Sequence, residues 1–266
     1  ILSFYENNPE CDIVWIYYSF EISKENKIAK FLSYFIKKEF DVRLHPKYIK
    51  GKKLDMETGE IIRISDEHLE MINAMYYKHI VPLFGGKDKN GNITDPMDGN
   101  GKSMGWDDVA DLNYNNLAMQ ADMIGDMKYW VEKFDIDGFR QDMALLIPME
   151  FWTEANKQLR SIKNDLFLLA ESELPEHVNS GSFHAIYSWS LHYILNEIAV
   201  GRQSIKDIDH WYATVKSRLL QGSYLLFTSN HDENSWSGSE IERMGEAHKA
   251  FAVLVNTMDG ISLLYS

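Results

Sequence analysis

Three apolar runs in this chain each end on a carboxylate, and that pattern narrows the folds available more than any other feature. Gly138-Phe139-Arg140-Gln141 closes on Asp142, Phe167-Leu168-Leu169-Ala170 closes on Glu171, and Tyr224-Leu225-Leu226-Phe227-Thr228-Ser229-Asn230 delivers His231 and Asp232. Short, breaker-free runs rich in Phe, Leu and Tyr read as strands buried on both faces. The three acids are spaced by about 30 and about 60 residues, one and two strand-plus-helix units. Strands that recur at that interval run parallel, and in a parallel barrel reactive side chains collect at the strands' carboxyl ends. The spacing therefore predicts a single acidic cleft.

The rest of the chain alternates in the same way. Asp12 to Phe20 reads as a strand. The helix behind it carries Ile28, Phe31, Leu32, Phe35 and Ile36 on one face. Phe40 to Leu44 and Ile80 to Phe84 read as two more strands, separated by an exposed loop or hairpin over Lys47 to Gly59 and a helix capped by Asp66. From Lys87 to Asn116 glycine, asparagine and aspartate dominate, so this stretch reads as a long loop. Asp88 to Asn92 superficially resembles a calcium loop, but its glycine comes two places early for the helix-loop-helix motif and a hairpin turn explains it. A helix over Leu117 to Phe134 then feeds the first acidic strand, and another follows Pro148, with Phe151, Trp152, Ala155 and Leu159 on one side. Ser182 to Trp189 and Gly260 to Tyr265 read as strands; Leu191 to Val200, Ile205 to Leu220 and Ile241 to Met258 read as helical. The fold class is α/β, a parallel (β/α)8 TIM-type barrel truncated or divergent in its first three strands. Its divisions are 1–86, a divergent N-terminal segment holding candidate strands one to three; 87–116, the loop excursion; and 117–266, strands four to eight.

Charge limits the partners. A formal net charge of −13 over 266 residues excludes nucleic acid as a partner, since a phosphate backbone requires a basic face. One cysteine, Cys11, allows neither an internal disulfide nor a cysteine zinc cluster. No run reaches membrane-spanning length. The chain opens on Ile1 and ends on an apolar run, which reads as a fragment of a longer protein. Nothing in the sequence sets its oligomeric state.

The acids admit two readings. An acid after a strand is commonly a helix cap. Two carboxyls held about 5 to 5.5 Å apart instead suit retaining glycoside hydrolysis, one as nucleophile and one as acid and then base. Arg140 lies two residues before Asp142, on the same strand face, and can hold that aspartate ionised. Glu173 competes with Glu171 for the acid role, being on the same side of an extended chain. His231 is either a core histidine or, with Asp232, a metal ligand, though no second histidine lies at metal-site spacing; His177, His184 and His192 are scattered and read as structural or surface residues.

At these residues a family resemblance appears. Gly138-Phe139-Arg140-Gln141-Asp142-Met143-Ala144, Leu169-Ala170-Glu171 and Phe227-Thr228-Ser229-Asn230-His231-Asp232 resemble three signature regions of the α-amylase family of glycoside hydrolases, family 13. Trp106 to Asn113 is similar to the segment preceding the fourth strand in bacterial members. The resemblance covers about residues 87–265 and implies a retaining hydrolase of α-glucosidic linkages in starch-like glucans or maltooligosaccharides. It assigns Asp142 as nucleophile, Glu171 as acid and base, Asp232 as transition-state stabiliser, and Arg140 and His231 to nucleophile and sugar contacts. It also implies a periplasmic or extracellular location. No cofactor is needed for this chemistry. The first third departs from the pattern: members carry an Asp and an Asn-His pair after the third strand, often with calcium, where this chain reads Ile80-Val81-Pro82-Leu83-Phe84-Gly85-Gly86. No metal ligand is therefore assigned. A catalytically degenerate carbohydrate-binding or scaffold protein remains as the alternative, as do transglycosylation and sucrose isomerisation within the enzyme class. Residues 1–86 are also faintly similar to signalling domains of the Toll/interleukin receptor type.

Overall fold

The computed structural model describes residues 24–86, 93–97, 102–106 and 109–265. The chain divides into two compact units, residues 1–126 and 127–266. The candidate strand at Asp12 to Phe20 and the Asp88 to Asn92 turn lie outside the described residues.

In the first unit, helix α1 (Lys24–Phe40) buries Ala29, Leu32, Phe35 and Ile36 at helical spacing. Leu32, Phe35 and Ile36 join Leu44, Ile80, Ile93 and the Ile72 and Met75 side chains of α2 (Asp66–Met75) in one hydrophobic cluster. Ser65 caps α2 by accepting a hydrogen bond from the His68 amide. The two further candidate strands of this unit are not strands. α1 runs through Phe40, and Asp41 then adopts φ 57°, a left-handed conformation that ends the helix and interrupts any extended run toward Leu44. At Ile80 to Phe84 the chain forms a π-turn over Tyr76–Ile80 and a 3₁₀ turn over Val81–Leu83. Pro82 has no N–H to give a ladder, and a five-residue apolar run fits a buried helical turn as well as a strand. Phe84 alone pairs, in an antiparallel bridge to Leu112. The Lys47 to Gly59 stretch begins in a helical turn over Pro46–Ile49, whose Tyr48 and Ile49 pack on that hydrophobic cluster, and only the part beyond it forms the expected exposed turn, closed by an antiparallel bridge between Leu54 and Ile61. Helix α3 (Leu117–Phe134) spans the division between the units.

The second unit is a parallel sheet of five strands, β1 (Gly138–Gln141), β2 (Phe167–Ala170), β3 (Ala185–Tyr187), β4 (Ser223–Leu226) and β5 (Ile261–Ser262), hydrogen-bonded in that order. The crossovers carry α4 (Met149–Ile162), α5 (Trp189–Ala199), α6 (Lys206–Thr214), α7 (His231–Trp236), α8 (Glu240–Met244) and α9 (Ala247–Thr257). Strand order that follows chain order without reversal is that of consecutive barrel strands; a doubly wound sheet reverses at a switch point. Both faces are buried, as a parallel sheet requires. Leu169, Ala185, Tyr187, Leu225 and Phe227 form one cluster, with Trp189, Ile261 and Leu263 packed on it. Their strand neighbours Leu168, Ile186, Tyr224 and Leu226, which point the opposite way, are fully buried too. Helix α4 begins after Pro148 and buries Phe151, Trp152, Ala155 and Leu159, the stripe its periodicity predicts. Gly138 is required by close approach: a Cβ there would lie 2.2 Å from the Phe167 carbonyl oxygen on β2.

Candidate active site

Register places the functional side chains. Arg140 on β1 pairs with Leu169 on β2, so its side chain rises on the face of the Leu169 cluster. The last registered pair is Gln141 with Ala170, and the Glu171 amide donates to the Gln141 carbonyl at 2.9 Å. Asp142 and Glu171 thus leave adjacent strand ends at the same level. After Asp142 the chain turns through Met143, which takes φ 44°. That turn aims the Met143 amide at Glu171, donating to Oε2 at 2.8 Å.

The Arg140 guanidinium joins the acids. Nη1 donates to Asp142 Oδ1, Nη2 lies 2.9 Å from Glu171 Oε1 and 4.0 Å from Asp232 Oδ2, and Nε donates to the Tyr187 hydroxyl at 3.2 Å. Asp232 arrives from the first turn of α7, which follows β4 after the connection Phe227 to Asn230 and is capped by Asn230, whose side chain accepts from the Glu233 amide. His231 Nε2 lies 3.3 Å from Asp232 Oδ2. Asp142, Glu171 and Asp232 therefore converge on the Arg140 guanidinium, and His231 joins them through Asp232. His231 is exposed and Asp232 partly so, whereas Glu171 is only 5% exposed.

The electrostatics differ from group to group. Burial pushes the Glu171 carboxyl up; the Met143 amide and Arg140 pull it down, and the negative charges of Asp142 and Asp232 push it up again, leaving it above the ordinary carboxylate range. Burial opposes the Arg140 charge, but the contacts with Tyr187, Glu171 and Asp142 outweigh it and hold the guanidinium protonated. The site thus has one carboxyl biased toward its protonated form beside a fixed cation.

Glu173 does not join this group. The strand ends at Ala170, the Ser172 amide folds back to the Ala170 carbonyl, and the extended geometry that would align residues 171 and 173 stops there. Glu173 instead accepts from the Ser190 amide at 3.0 and 3.1 Å and from the Ser190 hydroxyl, at the start of α5. Of the scattered histidines, His177 is buried against Ser172, and His184 accepts the Leu168 amide at 3.0 Å. Sequence reasoning missed Tyr187 and the Met143 amide. Tyr187 carried a weak signal, a polar-tipped aromatic inside a candidate strand; a backbone donor set by one left-handed residue carried none.

Among the described residues no group of three or more His, Cys, Asp or Glu side chains is arranged to hold a metal ion. The Asp95 carboxylate in the glycine-rich stretch is taken up by the Ser103 hydroxyl and the Gly105 and Trp106 amides. Among the described residues no helix is long and apolar enough to cross a membrane.

Comparison with known proteins identifies relatives of the chain. Residues 103–266 match the family model of the alpha-amylase catalytic domain. An alpha-amylase of Haloarcula japonica is 25% identical over 168 residues, 60% of this chain and 24% of that protein. A maltogenic alpha-amylase of Bacillus acidopullulyticus is 26% identical over 148 residues, 52% of this chain and 24% of its own length. Among solved structures, a noncanonic maltogenic alpha-amylase from Thermotoga neapolitana superposes with a TM-score of 0.58 at 26% identity, covering 73% of this chain and 42% of that one. The chain spans about a quarter of the length of these two curated relatives and less than half of that solved structure.

Proposed function

Because the chain belongs to the alpha-amylase catalytic-domain family, we propose that it acts as a retaining glycoside hydrolase on α-glucosidic linkages of starch-like glucans or maltooligosaccharides. The observation that carries this reading is the bridging of Asp142 and Glu171 by Arg140, with Asp232 4.0 Å from the same guanidinium. Glu171, biased toward its protonated form by burial, gives its proton to the glycosidic oxygen as that bond breaks. Asp142, held beside Arg140, attacks the anomeric carbon and forms a glycosyl ester with the enzyme. Glu171, now ionised, takes a proton from water; the resulting hydroxide displaces Asp142 and restores both groups. Asp232 supplies negative charge near the oxocarbenium-like transition state and accepts hydrogen bonds from sugar hydroxyls, with His231 beside it. Retention requires the two carboxyl groups close together, and one guanidinium touching both keeps them so.

The test is incubation of the intact chain with maltooligosaccharides. Reducing sugar should be released with its α-configuration kept, and Asp142→Asn should abolish release while leaving the fold intact. No release over a broad pH range would sink the reading. One observation favours a second reading: Ile80 to Gly86 offers helical turns and none of the acid and Asn-His side chains that the family places after its third strand. A glucan-binding protein without turnover would show saturable binding and no products. Transfer to a second sugar, or sucrose isomerisation, uses the same carboxylates and is separated by the products formed.

A further inference from the structure

Beneath the turn that carries His231 and Asp232 lies a second buried charge cluster, which takes no part in the chemistry above. Arg243 on α8 donates through Nη2 to the Thr228 carbonyl at 3.0 Å and the Ser229 hydroxyl at 3.1 Å, and through Nε to the Gly238 carbonyl at 3.2 Å. Its Nη1 lies 3.7 Å from Glu233 Oε2. The same oxygen lies 3.2 Å from Nε2 of His192, a fully buried residue of α5 stacked on Phe227 with ring centroids 4.9 Å apart. Burial favours the neutral imidazole, and Arg243 is the cation that faces the Glu233 carboxylate. The Glu233 amide meanwhile donates to Asn230 Oδ1 at 2.8 Å.

Glu233 is thus tied at both ends, its amide to the residue that caps the turn and its carboxylate to two other helices. It directly follows Asp232, and its carboxylate contacts His192 and Arg243. A buried guanidinium left without its carboxylate is costly, so the cluster holds its geometry strongly. We infer that Glu233 is a positioning residue: through Arg243 and His192 it fixes the His231–Asp232 turn so that the Asp232 carboxylate faces Arg140. The inference deepens the hydrolase reading and rests on it for its kinetic consequence, but its structural core stands without turnover.

The experiment compares the intact chain with Glu233→Ala, the near-isosteric Glu233→Gln, and Glu246→Gln as a surface control. Amide hydrogen exchange is read at residues 231–236 and at β4. In Glu233→Ala the turn should exchange at least about tenfold faster than in the unaltered chain while β4 is unchanged, with Glu233→Gln in between and the control at the original rate. Kinetically, Glu233→Ala should lower kcat by about 100-fold with KM within about twofold, the effect of displacing a catalytic group by about an ångström, and Glu233→Gln should recover part of that loss. Unchanged exchange at 231–236, equal acceleration in β4, or an unchanged kcat in Glu233→Ala would each overturn the inference. A chain with no turnover at all would remove the hydrolase reading, and exchange alone would then decide the role of Glu233.

Discussion

Replacing Arg140 with Met should reveal how much of the second unit's stability depends on one cation. The guanidinium lies 2.9 Å from Glu171 and 4.0 Å from Asp232 and also contacts Asp142, so its removal leaves three carboxylates converging without a counter-charge. At 4 Å and an effective dielectric constant near 20, one such pair is worth about 4 kcal/mol before desolvation is subtracted. Breaking a buried pair from one side costs about 3 to 5 kcal/mol. Arg140 is 26% exposed and the Asp232 side chain 42%, which places the expected loss near the lower end, about 3 kcal/mol. For a unit of this size that corresponds to a fall of about 6 to 12 °C in Tm. The loss should depend on pH. Glu171 already has its folded value raised above the unfolded one, so it favours the folded state at low pH, and that contribution is lost as pH rises through the folded value. Without Arg140 the mutual repulsion of the acids strengthens that trend, and the difference between variant and original grows from mildly acid to neutral pH. Urea unfolding at about pH 4.5 and about pH 8 measures it, with the slope m checked for constancy. Arg140→Lys should recover only part of the stability, because an ammonium cannot span two carboxylates as a planar fork does. A loss below about 1 kcal/mol at pH 8, or equal losses at the two pH values, would refute the reasoning.

Three further outcomes are expected. Glu171→Gln should suppress hydrolysis of maltooligosaccharides, yet spare much more of the first step with a maltosyl fluoride, whose leaving group needs no proton; in the unaltered chain, activity should fall as pH rises through the raised Glu171 value. Gly138→Ala should force β1 and β2 apart at the Phe167 carbonyl and cost about 1 to 3 kcal/mol in urea unfolding. Asn156→Ala removes a fully buried amide that accepts from Gln141 at 2.9 Å and donates to the Ser182 carbonyl at 3.1 Å; a loss of about 1 to 3 kcal/mol is expected by the same assay.

The sequence alone was enough to place β1, β2 and β4, the helices between them, and the acids at their carboxyl ends. Those features rest on periodicity within a few residues: apolar runs buried on both faces make strands, and an acid directly after such a run can lie only at its end. Local pattern was least informative where local and tertiary demands diverge. Ile80 to Phe84 is apolar enough for a strand, but Pro82 and the packing of Ile80 into the α1 and α2 cluster turned it helical. Glu171 and Glu173 are equivalent under a two-residue period, and what separates them is the bend at Ser172, which sends Glu173 to the start of α5. The support beneath Asp232 lay furthest beyond reach, because His192, Glu233 and Arg243 come from three different helices. Their meeting depends on how those helices pack around the end of β4, and no spacing along the chain encodes which buried charge will find which partner.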